Sequence, residues 1–247
     1  MTPNRDLAVA VLPAYNEAGT IRRVVDAVTP HVGRVIVVDD GSTDGTAAAL
    51  CGTPAECLRD EHNQGKGHAL RHGFRRALEL GANTIITLDG DGQHPPERVP
   101  ALLAEHELDP GAIVIAARRQ RRADAPALRR AANRVADFFI SWAAGACLLD
   151  TQSGFRLYPR AVAEAGLACT AEGFVFECGI LIAAVTQGCP VRYVAIPALY
   201  PDTARASHYR PIADTLRITR HVGRRILRSG ASPRRLARSL HTSRQHG

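Results

Sequence analysis

The chain lacks any apolar run long enough to cross a bilayer: its most apolar stretch, Phe138 to Leu149, has about 12 residues where a spanning helix needs roughly 20. The amino-terminal MTPNRDLAVAVLPAYNE also lacks the basic, apolar and small-residue order of a signal peptide. No C-x-x-C pair or zinc-type Cys/His spacing occurs among Cys51, Cys57, Cys147, Cys169, Cys178 and Cys189, so reduced thiols in a cytoplasmic protein are expected rather than a disulfide framework. Aromatic residues are few, five Tyr, six Phe and one Trp, and none follows Tyr209. The basic end of the chain therefore offers no stacking platform for single strands, and no nucleic-acid partner is expected. The first apolar segment is followed by no G-x-G-x-x-G, which disfavours a dinucleotide oxidoreductase, and the P-loop spacing is missing. A sugar nucleotidyltransferase would carry a glycine- and basic-rich triphosphate loop at that point, whereas Pro13 to Glu17 is acidic and lacks glycine.

What is present suits one large α/β domain of 247 residues, 45% hydrophobic and 22% charged, with neither disorder nor internal repeats indicated. The net charge of +7 is uneven. From Arg210 to Gly247 there are ten arginines against one acid, Asp214, so that end carries +9 and the remainder −2. Such a cationic end fits peripheral contact with an anionic membrane surface, at the inner face, and fits equally a solvated arginine-rich terminus.

Short β-branched runs alternate with amphipathic stretches, the pattern of βαβ units and a mostly parallel sheet. Strands are expected at Leu7 to Leu12, Val35 to Val38, Glu56 to Arg59, Thr84 to Leu88, Ile113 to Ala116 and Val191 to Ile196. Helices are expected at Ala18 to Val28, Gly67 to Leu80, Pro96 to His106, Leu128 to Ala144, Gly173 to Gln187 and Pro211 to Leu227, with a basic tail of low order after Gly230. Right-handed crossovers put the carboxyl ends of parallel strands on one edge, where ligands of open α/β sheets bind.

The polar motifs fall at those strand ends. Asp39 or Asp40, opening the DDGSTDG loop, could accept hydrogen bonds from a ribose or a base, although the same residues make a good turn and helix cap. Lys66, between two glycines at a helix start, suits a phosphate and would look the same as an exposed lysine in a turn. The strongest signal is LDGDGQHPPE from Leu88: Asp89 and Asp91, two apart in a glycine-rich turn, repel each other unless a cation lies between them. Mg²⁺ or Mn²⁺ held by these carboxylates and diphosphate oxygens is the expected arrangement. His94 reads as a helix-flanking polar residue, and a plain Asp-Gly turn is the alternative for the whole segment.

Together the segments VLPAYNE, VVDDGSTDGT, NQGKGHALRHG, LDGDGQHPPE, DTQSGFRLY and SHYRPIADTLRI resemble, in order, those of glycosyltransferase family 2, of GT-A fold. The likeness is to the branch of dolichyl-phosphate mannose synthase and related polyprenyl-phosphate sugar transferases, and it runs from about Leu7 to Arg220. It implies a GT-A domain over 1–228, with a nucleotide-binding half and an acceptor-binding half, followed by a basic tail over 229–247. It further implies that Pro13, Tyr15, Glu17, Asp39, Asp40 and Lys66 bind the nucleotide of a donor such as GDP-mannose or UDP-glucose. Asp89, Asp91 and Gln93 would frame the metal, and Arg118 and Arg156 would face phosphates. Asp150, Gln152 and Ser153 would shape the acceptor side, and Ser207, His208 and Arg210 would belong to a closing loop. One departure is Gly179, where many relatives carry a second acid beside the position of Glu177. A lipid phosphate is already ionised and needs no strong general base, so this gap leans toward polyprenyl phosphate as acceptor over a hydroxyl-bearing glycan or metabolite. An inverting transferase with Asp91, Arg118, Arg156 and Glu177 as its catalytic residues is the resulting expectation.

Overall fold

The architecture is taken from a computed structural model, which describes residues 7–118, 127–169, 173, 175–197, 220, 222–223, 226–227 and 232–241. Seven strands form one sheet in the order β3-β2-β1-β4-β6-β5-β7. They are β1 (Ala8–Ala14), β2 (Arg34–Asp39), β3 (Glu56–Arg59), β4 (Thr84–Thr87), β5 (Ile113–Arg118), β6 (Arg156–Pro159) and β7 (Val191–Ile196). All pairings are parallel except those of β6, which runs antiparallel to both β4 and β5. The helices are α1 (Ile21–Val28), α2 (Thr46–Ala49), α3 (Lys66–Glu79), α4 (Val99–Leu108), α5 (Ala127–Ala144), α6 (Arg160–Leu167), α7 (Val175–Thr186) and α8 (Pro233–His241), with a 3₁₀ turn at Pro96–Arg98 leading into α4.

The central strands read as unbroken apolar runs because both sheet faces are covered. Val9, Val11, Ile36, Val38, Ile85 and Ile115 point to the side packed by α3, α5, α6 and α7. Their neighbours Ala8, Ala10, Leu12, Val35, Val37 and Ile86 point to the side packed by α1 and α4. Phe74 of α3 meets Tyr158 of β6 edge-on at 5.4 Å and Phe176 of α7 at 6.1 Å. Truncating such an aromatic to alanine costs about 3–5 kcal/mol, so this trio ties firmly together the two helices that carry Lys66 and Glu177.

All six expected strands form, with small changes at the ends. β6, the short α2 and α6 were not anticipated. The tail expected to have low order after Gly230 contains α8, which packs on α5 with Arg235 set against Gly145. Pro233 opens this helix where its missing N–H costs nothing, and Ser232 O accepts the first backbone bonds, from Arg235 and Leu236. Of the helix expected from Pro211 to Leu227, most residues lie outside those described. No described helix is long and apolar enough to cross a membrane.

The chain visits β1, β2 and β3 in one direction and then returns to β4 on the other side of β1. That reversal opens a crevice at the carboxyl edge. The loops after β1, β2 and β4 meet there, joined by the loop that enters antiparallel β6.

Candidate functional site

Three loops are fastened to one another before any ligand is considered. Asn16, in the left-handed region at φ 57°, donates its N–H to Ser42 Oγ at 2.8 Å, and its Oδ1 accepts the Thr43 N–H at 2.9 Å. Glu17 N–H donates to Thr46 Oγ1 at 2.8 Å, and Thr20 Oγ1 donates to Gly90 O at 2.7 Å. The loop after β1 is thus buckled to the loops after β2 and β4. Asp44 Oδ1 accepts the Thr46 N–H and hydroxyl, which closes a local turn just ahead of α2, whose N-cap is Gly45.

Asp39 and Asp40 are both buried. Asp40 accepts the N–H groups of Gln64 and Gly65, each at 2.7 Å, and so braces the glycine loop that presents Lys66. Asp39 accepts the Ser42 N–H through Oδ1, while its Oδ2 is covered and makes no hydrogen bond. The expected nucleotide role of Asp40 becomes, in this geometry, one of positioning.

Lys66 lies at the centre. Its Nζ is 2.6 Å from Asp89 Oδ1 and 2.9 Å from Glu177 Oε2, and its side chain is only 15% exposed. Burial alone would push the ammonium pKa down, but the two carboxylates outweigh burial and hold it raised. Burial likewise acts to raise Asp89, yet Lys66 and the adjacent His94, 3.3 Å from Oδ2, hold its pKa well below the usual carboxylate range. His94, expected only to flank a helix, is buried and orients the carboxylate.

Asp91 is in the opposite condition. Burial first and the charge of Asp89 second raise its pKa, while the Gln93 N–H, 2.9 Å from Oδ1, opposes the shift. Glu17 on the facing loop is pushed up to about 7 by burial, with Thr20's hydrogen bond opposing and Asp91, Asp89 and Asp44 adding to the rise. Two raised carboxyls beside a low one mark a place where negative charge exceeds the lysine that balances it. Asp91, with the half-buried Gln93 side chain near it in sequence, therefore offers the hard oxygen donors that Mg²⁺ or Mn²⁺ takes, and the donor set fits. Gly92, at φ +72°, makes the turn that brings the Gln93 N–H back to the Asp91 carboxylate.

A pH prediction follows from Glu17. Its folded value near 7 exceeds the ordinary 4.5, so between those limits the folded chain holds a proton that the unfolded chain has lost. The stability contributed by the protonated form is complete below 4.5 and fades as pH rises toward 7. Glu17→Gln should therefore gain thermal stability relative to wild type across this window, and a Tm difference that stays flat with pH would contradict the assignment.

Pro13 and Tyr15 are half-buried on the β1 side of the crevice. Arg118, at the end of β5, forms a two-pronged pair with Asp150 (Nε–Oδ2 2.9 Å, Nη2–Oδ1 3.0 Å), which aims it along this edge. Gln152 is half-buried, its Nε2 3.4 Å from Thr151 Oγ1. Two expectations are corrected. Arg156 is 1% exposed and donates to the carbonyls of Ser153, Thr151 and Glu177 at 2.8, 2.6 and 3.0 Å, so it knits the loop to α7 and does not face phosphates. Ser153 is fully buried and donates to Ala116 O at 2.8 Å, which removes its hydroxyl from the acceptor side. Ser207, His208 and Arg210 lie outside the described residues.

Sequence reasoning missed Gly154. A Cβ there would lie 2.5 Å from Asp89 Oδ2 and 2.9 Å from Lys66 Nζ, so only glycine leaves the ion pair in place. Gly154→Ala should lower turnover by about 10²-fold, the cost of displacing a reacting group by about 1 Å. Because the displaced groups belong to the buried ion-pair triad, Tm should fall as well; turnover within a factor of two or so of wild type would contradict this placement.

Residues 9–166 match the family model described as glycosyl transferase family 2. The undecaprenyl-phosphate 4-deoxy-4-formamido-L-arabinose transferase of Yersinia pestis (strain Pestoides F) is 32% identical over 173 residues, covering 64% of this chain and 50% of that protein. The UDP-N-acetylglucosamine–dolichyl-phosphate N-acetylglucosaminyltransferase of Methanococcus voltae is 28% identical over 175 residues, 62% of this chain and 70% of that protein. The chain thus spans about half the length of the Yersinia relative. Among solved structures, glucosyl-3-phosphoglycerate synthase from Mycobacterium tuberculosis, in complex with Mn²⁺, UDP and glucosyl-3-phosphoglycerate, aligns with a TM-score of 0.64 at 25% identity, covering 92% of this chain and 80% of that one. The match takes in the strand-end loops after β1, β2 and β4 as well as the glycine loop before α3, and the chain belongs to glycosyl transferase family 2.

Proposed function

We propose that the chain transfers a hexose from a nucleoside diphosphate sugar, GDP-mannose or UDP-glucose, to polyprenyl phosphate, with inversion at the anomeric carbon. The observation that carries this reading is the charge pattern at the crevice: Asp91 and Glu17 raised, Asp89 low and clamped to Lys66. That excess of negative charge suits a divalent cation and the diphosphate accompanying it. Mg²⁺ or Mn²⁺, held by Asp91 with Asp89 and Gln93 beside it, would supply charge neutralisation on the departing nucleoside diphosphate.

The chain's own groups do the remainder. Lys66, whose raised pKa keeps it cationic, leans from the helix start toward the phosphates, and Asp89 and Glu177 fix its position. Tyr15, Pro13 and Glu17 form one wall for the nucleotide. Arg118, oriented by Asp150, meets the phosphate of donor or acceptor at the far end of the crevice. An acceptor phosphate oxygen gives its lone pair to the anomeric carbon, and the carbon–oxygen bond to the diphosphate breaks with its electrons leaving on that group. The acceptor carries no proton to remove. Glu177 is engaged with Lys66 and position 179 is glycine, so the helix offers no second acid, which supports a phosphate acceptor.

The relatives from Yersinia and Methanococcus, named for undecaprenyl-phosphate and dolichyl-phosphate, support the same acceptor class. Access to a lipid would come from surface contact on the cytoplasmic side of the membrane. Val135, Phe138 and Leu149 are exposed apolar residues on and after α5, the arginine-bearing α8 packs on α5, and each basic residue near anionic lipid contributes roughly 1 kcal/mol. A second reading, a hydroxyl-bearing metabolite as acceptor, draws support from the synthase structures that hold phosphoglyceric acid and UDP with Mn²⁺.

The test is a panel of labelled nucleotide sugars with Mg²⁺ or Mn²⁺, with polyprenyl phosphate or phosphoglyceric acid, scoring transfer apart from hydrolysis. Transfer to polyprenyl phosphate, with sedimentation on anionic vesicles that weakens as salt rises, is expected. Transfer to hydroxyl acceptors alone would overturn the acceptor assignment.

A further inference from the structure

Beside the glycine loop, where the ends of β2 and β3 meet the start of α3, lies a second group of ligating side chains. Asp60 follows β3, and its carboxylate is 10% exposed. His68 and His72 stand one turn apart on α3 and present imidazoles to the same side. Asp60 Oδ1 is 3.1 Å from His72 Nδ1, and Asp60 Oδ2 is 3.3 Å from His68 Nδ1. Asp40, from the loop after β2, completes the group: its carboxylate, that of Asp60 and the His68 ring bring ligand atoms within 4.8 Å of one another.

A carboxylate between two histidines can be a plain hydrogen-bonded network, and the Asp60–His72 contact has that form. The His68 contact does not. Asp60 Oδ2 and His68 Nδ1 are both covered, face each other, and make no hydrogen bond to any group. A buried acceptor and a buried ring nitrogen left unsatisfied are costly to the fold, and a shared cation would remove that cost. The spacings of Asp40, Asp60 and His68 suit one, and His72 stands next to them, 3.1 Å from Asp60 Oδ1. Tetrahedral zinc, with bonds of about 2.0–2.1 Å, sets neighbouring ligand atoms about 3.3 Å apart.

We propose that Asp60, His68 and His72, with Asp40, form a site for one zinc-class divalent cation that fastens the glycine loop to the ends of β2 and β3. Two imidazoles and two carboxylates select a borderline metal, whereas the all-oxygen set at Asp91 selects Mg²⁺ or Mn²⁺. The outer contacts are in place: Asp40 already accepts the Gln64 and Gly65 N–H groups, which orients it and couples the cation to the backbone just before Lys66. The inference stands apart from the sugar-transfer reading, since it concerns a cation other than the one at Asp91 and is read by metal binding; Asp40, which braces the glycine loop, is the residue the two share.

Metal-stripped full-length protein would be titrated with Zn²⁺ by calorimetry and with Co²⁺ by visible absorption, comparing wild type, Asp91→Asn, His72→Gln and His68→Gln/His72→Gln. One Zn²⁺ should bind to wild type and to Asp91→Asn, raise Tm by several degrees, and give Co²⁺ the intense visible bands of tetrahedral coordination. Affinity should fall at least about 10²-fold in the double variant and lesser in His72→Gln. Equal zinc affinity in wild type and the histidine variants, or no zinc binding by wild type at micromolar concentration, would overturn the proposal. Should the double variant fail to fold, X-ray absorption of zinc-loaded wild type decides: two imidazole ligands support it, and none refutes it.

Discussion

Asp91→Asn is expected to reduce sugar transfer by about 10³-fold or more while leaving the ligand-free protein as stable as wild type, or more so. Loss of one preorganised group that meets charge developing on a leaving diphosphate costs on that scale. The stability half of the prediction comes from the carboxyl's raised pKa, caused by burial and the charge of Asp89. A carboxyl raised in the folded state opposes folding once it ionises, so its neutral isostere removes that penalty. Asparagine also keeps Oδ1 available for the Gln93 N–H. Activity lost together with a large drop in Tm would instead make Asp91 a structural residue. The readouts are transfer rate with saturating Mn²⁺ and thermal unfolding without ligand.

Lys66→Met should fail in both respects. Lys66 is the one described cation within ion-pair distance of both Asp89 and Glu177, and removing it takes away the charge that the buried Glu177 and the half-buried Asp89 share. Breaking a buried pair by deleting one partner costs about 3 kcal/mol or more. For a chain of this length that corresponds to a fall of roughly 6–12 °C in Tm. Turnover should fall as well, by about 10²-fold, through loss of the charge that meets the diphosphate. Adding Glu177→Gln to Lys66→Met should restore part of the stability and none of the turnover. Equal Tm values for wild type and Lys66→Met would show that the triad contributes nothing to the fold. The contrast between Asp91, where charge removal is tolerated by the fold, and Lys66, where it is not, separates the ligand's place from the scaffold beneath it.

Much of this was legible in the chain. Strands buried on both faces leave runs such as AVAVL and VIVV, and polar loops after β1, β2 and β4, the latter two rich in Asp and Gly, announce the ligand edge because a ligand site needs polar groups where the sheet runs out. The hidden parts have physical causes. β6 is four residues long, begins with an arginine and ends with a proline, so no period-2 apolar signal marks it. Arg156 was misread because an arginine after Gly-Phe near a site suggests phosphate, whereas its fork here satisfies three carbonyls at a loop-to-helix junction. Lys66 and Glu177 are joined by a fold contact that no local pattern records, and His94 looks like any polar residue before a proline-started turn. Gly154 has its meaning only from what surrounds it, since its backbone requires nothing that another residue could not adopt. The helical tail α8 was obscured by its arginines, which mask the apolar spacing of Leu236 and Leu240.

The most direct test is a crystal of the protein grown with Mn²⁺ and a nucleoside diphosphate, with manganese located by its anomalous scattering. The expected peak lies between the Asp91 carboxylate and the diphosphate oxygens, with Lys66 turned to the same phosphates. A diphosphate bound elsewhere, or an Asp91 carboxylate with no metal beside it while nucleotide occupies the crevice, would contradict the account.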